Sequence, residues 1–172
     1  LAHFAAPRPR ERWADLGTGC GVIPLLWRVR TQAGSITGVE LQEKAAQQAE
    51  RSVAENGFSQ SVSILRGDAR RLSDLFPAGS LDGIACNPPY TPPGAGIPCG
   101  DAARRTARQG DTLSLEDLAR EARCALRFGG RLCLCLRPQR LGEAVGLFQR
   151  FQLEPKRLRL CQQRPGKAPF LL

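Results

Sequence analysis

The feature that most restricts the fold is an alternation: a short apolar run, a sharp turn, a helical segment, then the same again. Residues 12–16, 35–41, 62–65 and 81–86 read as strands. Between them, residues 22–30 and 42–55 read as helices; in the second, Leu41, Ala45, Ala49 and Val53 recur four apart, and Asn56-Gly57 ends the pattern. Residues 71–76 allow a further short helical piece. Strands alternating with helices predict an α/β domain, a doubly wound and mostly parallel sheet with helices on both faces. Ser114, with Asp117 three residues on, predicts a capped helix start. Leu115, Leu118, Ala119, Ala122 and Leu126 would form its inner face, and Gly129-Gly130 its stop. Residues 131–136 predict a fifth strand, a helix is marked by Leu141, Ala144, Val145 and Phe148, and residues 153–161 and 169–172 predict strands six and seven. The link between the last two is too short for a helical crossover, so the seven-stranded sheet should end in an antiparallel pair.

In such sheets ligands gather at the carboxyl ends of the strands, where strand order reverses. The first strand runs into Asp15-Leu-Gly-Thr-Gly-Cys-Gly21, the second ends on Glu40, the third on Gly67-Asp68, and the fourth on Asn87-Pro-Pro-Tyr90. Gly17, Gly19 and Gly21 let backbone approach a ligand, and their G-x-G-x-G spacing differs from the dinucleotide fingerprint. Glu40 is placed to accept ribose hydroxyls, and Asp68 an exocyclic amino group. The prolines after Asn87 stiffen the chain and remove two N–H donors, leaving carbonyl acceptors. A side-chain amide, rigid acceptors and the Tyr90 ring suit a planar NH2 group. Taken singly, each feature is an ordinary turn or strand end; their shared position at one end of the sheet is the argument.

The 172 residues fit one domain, residues 1–172; with no methionine even at position 1 and a last strand that stops short at Leu172, a fragment truncated at both ends is expected. The formal charge is +9, and all but three of the 25 basic residues are arginine, which favours a polyanionic partner such as nucleic acid. Arg104, Arg105 and Arg108 lie in a polar stretch after Tyr90, and Lys156, Arg157 and Arg159 near the carboxyl end; both groups are candidates to grip phosphate. The seven cysteines show no C-x-x-C pair, so neither a metal site nor a disulfide framework is expected, and a reducing cytoplasm suits them. No apolar run has the length of a membrane span, so no membrane partner is expected.

The segments 15–21, 38–40, 67–68 and 87–90 together resemble the motif series of class I S-adenosylmethionine-dependent methyltransferases. The N-P-P-Y members act on planar amino groups, either adenine N6 or the side-chain amide of glutamine. Residues 136–141, 153–160 and 164–168, with Leu1-Ala-His-Phe4, bring the resemblance closer to one branch: bacterial tRNA adenine-N6 methyltransferases that modify valine tRNA beside the anticodon. The resemblance covers essentially the whole chain. It implies a cytoplasmic enzyme that takes S-adenosylmethionine as cofactor and tRNA as partner. It implies donor binding by Asp15, Gly17, Thr18, Gly19, Gly21, Glu40, Leu41, Asp68, Ala69 and Asn87. The acceptor would be clamped by Asn87, Pro88 and Tyr90, and Arg104, Arg105 and Arg108 would hold nucleic acid. One departure stands out: where the branch usually has His-Glu, this chain has Gln109-Gly110. A protein glutamine-N5 methyltransferase and a non-catalytic donor- or RNA-binding domain are the competing readings. The net charge favours RNA.

Overall fold

The structure is a computed structural model that describes residues 1–88, 113–162 and 164–171. Its centre is a parallel five-stranded sheet in the order β3-β2-β1-β4-β5, formed by β1 (Arg12–Leu16), β2 (Ser35–Glu40), β3 (Val62–Arg66), β4 (Leu81–Cys86) and β5 (Leu126–Leu134). After β3 the chain crosses back past β1, so strand order reverses between β1 and β4. The helices α1 (Ala2–Ala5), α2 (Val22–Arg30), α3 (Glu43–Glu55), α4 (Leu115–Ala125) and α5 (Leu141–Arg150) accompany the strands.

Period-two alternation divides the core. Ala14, Leu16, Ile84 and Cys86 face one side, against Leu72, Leu115, Leu118 and Ala122. Trp13, Ile36, Ala85 and Cys133 face the other, against Phe4, Trp27 and Val53. Trp13 and Trp27 meet edge to face with centroids 5.2 Å apart. Gly83 makes room for that pair: a Cβ there would fall 2.2 Å from the Trp13 ring. The α4 start is capped as expected, with the Ser114 hydroxyl accepting from the Asp117 N–H at 3.0 Å.

Three expected boundaries differ. The helix α4 ends at Ala125 rather than at the glycine pair, because Leu126 is extended and pairs with Leu81. Gly129-Gly130 instead lie within β5, in a bulge: β4 advances from Leu81 to Gly83 while β5 advances from Leu126 to Arg131. The sixth strand is reduced to β6 (Leu160–Cys161), which pairs antiparallel with β7 (Phe170–Leu171) as a separate two-stranded sheet. An isolated Leu136–Leu171 bridge links that pair to the end of β5. A single seven-stranded sheet is therefore not what the described residues form. The piece after β3 is a 3-10 turn over Leu72–Asp74.

Candidate active site at the carboxyl ends of the strands

Register brings the predicted site residues to one level. Leu16 lies beside Val39 on one side and Cys86 on the other, so the chain leaves β1, β2 and β4 together at Gly17, Glu40 and Asn87. Gly17, Gly19 and Gly21 all take positive φ (69°, 58° and 84°), a conformation that side chains disfavour. The loop is tied to β2, since the Gly17 and Thr18 N–H groups both donate to the Val39 carbonyl at 2.9 and 3.0 Å. Gly21 also brings α3 close, because a Cβ there would sit 3.3 Å from Ala49 Cβ. Gly38 has a similar role, admitting the Thr18 side chain against β2.

Glu40 is buried and works twice. Its Oε2 accepts from the Gly19 N–H and its Oε1 from the Gln42 N–H, both at 2.9 Å. The carboxylate thereby locks the glycine loop to the start of α3. Leu41, next in the chain, is exposed.

Asp15 sits at the end of β1 and is almost wholly buried. Burial pushes its carboxyl up to about 7; the Thr18 hydroxyl works against the rise and the Glu40 charge adds to it. Asp15 Oδ2 and Thr18 Oγ1 are both buried without a hydrogen-bond partner of good geometry. Unmade bonds of this kind cost about 1–3 kcal/mol each, so a pair beside an open loop is a place where a ligand's donors fit. A Cβ on Gly17 or Gly19 would meet nothing within 4 Å, which leaves the backbone of the loop open to approach.

Asp68 follows β3 and is taken up locally. Both its oxygens accept from the Arg70 guanidinium, at 2.7 to 3.0 Å, and Oδ1 also accepts the Arg70 N–H at 2.9 Å. These bonds to Arg70 outweigh partial burial and hold its carboxyl below the usual range. Nothing in the sequence but its place two residues after Asp68 hints at this role for Arg70. Ala69 packs against the core beneath. Asn87 is exposed at the strand end and Pro88 is buried behind it. Tyr90, Arg104, Arg105, Arg108 and the Gln109-Gly110 departure lie outside the described residues, as does Cys99.

The carboxyl-terminal basic group divides. Arg157 is used structurally: it lies 4.5 Å over the Phe4 ring and donates to the Phe4 carbonyl at 2.8 Å. Arg159 approaches the same ring at 5.2 Å, with His3 Nδ1 beside it. Lys156 pairs with Glu154 at the surface. A cavity of about 600 Å³ lined by Val145, Gln149, Gln152, Leu153, Glu154 and Pro155 lies beside α5 and includes none of the strand-end residues.

Comparison with known proteins agrees with this geometry. Residues 1–153 match the family model described as the methyltransferase small domain. The chain is 36% identical to the tRNA1(Val) (adenine(37)-N6)-methyltransferase of Serratia proteamaculans over 84% of its length and 54% of the relative's. It is 32% identical to the enzyme of the same name from Tolumonas auensis, over 100% of this chain and 70% of that one. The chain thus spans from about half to about seven tenths of these relatives. Among solved structures, a predicted O-methyltransferase from Agrobacterium tumefaciens superposes with a TM-score of 0.71 at 25% identity, covering 99% of this chain and 75% of that one. A reversed parallel sheet, a glycine loop held by a strand-end glutamate and an asparagine on the neighbouring strand end accord with these likenesses: the chain belongs to the methyltransferase small-domain family.

Proposed function

We propose that this chain is a single catalytic domain that transfers a methyl group from S-adenosylmethionine to the exocyclic N6 amino group of an adenine in the anticodon-loop region of tRNA. The observation that carries the reading is the meeting of the glycine loop, Glu40 and Asn87 at the point where strand order reverses. The tRNA-modifying names of the relatives and the +9 charge support RNA as the acceptor. A cytoplasmic location follows from a tRNA substrate. Among the described residues no helix is long and apolar enough to cross a membrane.

The residues present suit the donor. A carboxylate offers about four acceptor sites, and Glu40 uses two on backbone N–H groups, leaving two for ribose hydroxyls. Gly17, Thr18, Gly19 and Gly21 supply close backbone, while Asp15 and Thr18 offer unpaired oxygens for an ammonium or its bridging water. Leu41 and Ala69 would flank the adenine of the donor. Asp68 would take its amino group only when Arg70 turns aside. When bound, the sulfonium supplies an electrophilic methyl group.

The chain's own work is on the acceptor. An adenine amino nitrogen is a poor nucleophile because its lone pair is delocalised into the ring. The Asn87 side-chain oxygen and the Pro88 carbonyl accept its two hydrogens, which turns the lone pair out of the ring plane and stabilises positive charge as it develops on nitrogen. Tyr90 stacks on the base, contributing about 1–3 kcal/mol. Arg104, Arg105 and Arg108 hold phosphates. The test is to incubate the protein with radiolabelled donor and, separately, total tRNA and a release factor. N6-methyladenine in a tRNA digest is expected. Label on a glutamine of the release factor, with none on tRNA, would overturn the reading.

A further inference from the structure

The amino end of the sheet, remote from the proposed site, carries its own pattern. The β5 bulge pushes Arg127-Phe128-Gly129-Gly130 outward, with Gly129 at φ 74°. Phe128 at its tip is fully exposed, at 102%. The bulge is braced: the Arg127 Nε donates to Asp82 Oδ1 at 2.5 Å and its Nη1 to the Phe128 carbonyl at 3.1 Å. An aromatic ring is thus held out into solvent by a fixed turn.

Arginines occupy the same end of the sheet. Asp82 Oδ2 accepts the Arg12 N–H at 2.7 Å, which brings the start of β1 to the base of the bulge. The Arg10 N–H bonds to the Gln32 carbonyl, which joins the segment before β1 to the end of α2, where Arg30 is exposed. Arg8, Arg10 and Arg12 are exposed too. The acids at this end are already committed, Asp82 to Arg127 and Glu11 to Arg131 and Trp13. Arg8, Arg10 and Arg30 form no ion pair among the described residues. What this end of the sheet presents outward is uncompensated positive charge together with one exposed aromatic ring.

We propose that this face is a second RNA contact, with Arg8, Arg10, Arg12 and Arg30 on phosphates and Phe128 stacked on an unpaired base. Protein partners tolerate such a ring, but clustered guanidinium groups without carboxylates fit a polyanion, and the ring fits its bases. The inference rests on tRNA as substrate and goes beyond it. A strand of six residues spans about 20 Å. The body of the folded tRNA, outside its anticodon stem–loop, lies on this face. The enzyme would then read the tRNA at two places.

The experiment compares full-length valine tRNA with its isolated anticodon stem–loop, by fluorescence anisotropy across a salt series. The proteins are the wild type and a Phe128→Ser, Arg10→Glu, Arg30→Glu variant. Removing one stacking ring and two cations should weaken binding of full-length tRNA at least tenfold. It should also flatten the salt slope by about 1.4–1.8, given about 0.7–0.9 for each phosphate no longer neutralised. Stem–loop affinity, donor affinity and melting temperature should not change. Unchanged full-length binding overturns the second contact alone. Equal losses on both RNAs also overturn it, since the face would then act near the anticodon loop. Failure of the wild type to bind either RNA would sink the substrate reading as well.

Discussion

Two aspartates at opposite ends of one sheet behave in opposite ways. Asp15, at the carboxyl end of β1, is buried with one oxygen unpaired, and its carboxyl is pushed up to about 7. Asp82, at the amino end of β4, has a firm partner on each oxygen. Burial alone would raise it, but the Arg12 N–H and the Arg127 guanidinium hold it below the usual range. At the amino end Asp82 is satisfied, although Ser80 Oγ just before β4 is also buried without a partner, and what this end presents outward is surplus arginine. The carboxyl end keeps polar groups unsatisfied inside itself. A fold tolerates unmade bonds where a ligand completes them. The difference between the two aspartates is therefore one of pairing: a buried carboxyl left open beside the glycine loop, where a ligand's donors fit, against a fully partnered one at the arginine-rich end.

The hardest test of that division is Asn87→Ala. Losing the acceptor clamp should lower turnover by about 10³-fold while donor affinity, read by calorimetry, stays within about twofold. Substantial turnover in this variant would reduce the carboxyl end to a donor shelf.

Asp15→Asn probes the unsatisfied group through stability. The carboxyl titrates near 7 in the folded protein and near 3.9 unfolded, so the folded state holds its proton more tightly. Its contribution is complete below about pH 4 and is lost as pH rises through 7, to a total of roughly 4 kcal/mol. Asparagine does not titrate. Melting temperatures of wild type and variant, without ligand, should be similar near pH 4 and diverge in favour of the variant toward pH 8. Curves that run parallel would mean Asp15 is not the buried acid described.

Glu40→Ala removes the acceptor of two backbone N–H groups and the proposed ribose partner together. Donor affinity should fall about 30-fold, near 2 kcal/mol. Affinity unchanged in calorimetry would take Glu40 out of the donor site and leave it as a loop fastener.

The carboxyl end was legible in the sequence because its signals are local. Glycines, an acid after a β run and N-P-P-Y each mark a strand end, and parallel topology aligns strand ends. Arg70 was not legible, because nothing in G-D-A-R shows that the guanidinium folds back onto its own aspartate. The amino end was largely hidden. Leu126 continues the helical spacing of Leu115, Leu118 and Ala122, yet pairing with Leu81 pulls it into β5, and the glycines expected to stop a helix form a bulge. Arg157 read as a free cation, whereas a partner 153 residues away takes it up. Periodicity reports which face a residue occupies; it does not report what lies across the sheet.

The smallest expected effect sharpens the comparison from the other side. Asp82→Asn keeps the shape of the brace and removes its charge, so the cost should be about 1 kcal/mol for a partly solvated pair. The sign of its pH dependence is opposite to that of Asp15. A carboxyl held below its unfolded value stabilises above that value and loses its contribution as pH falls through the folded one. Melting temperatures should therefore show wild type ahead of the variant at pH 7, with the gap closing toward pH 3. Donor affinity should stay unchanged, since β4 separates Asp82 from Asn87 by its whole length. A donor affinity that fell with Asp82→Asn would show that bracing the amino end also sets the geometry of the carboxyl end, and the two ends would then have to be treated as one coupled device.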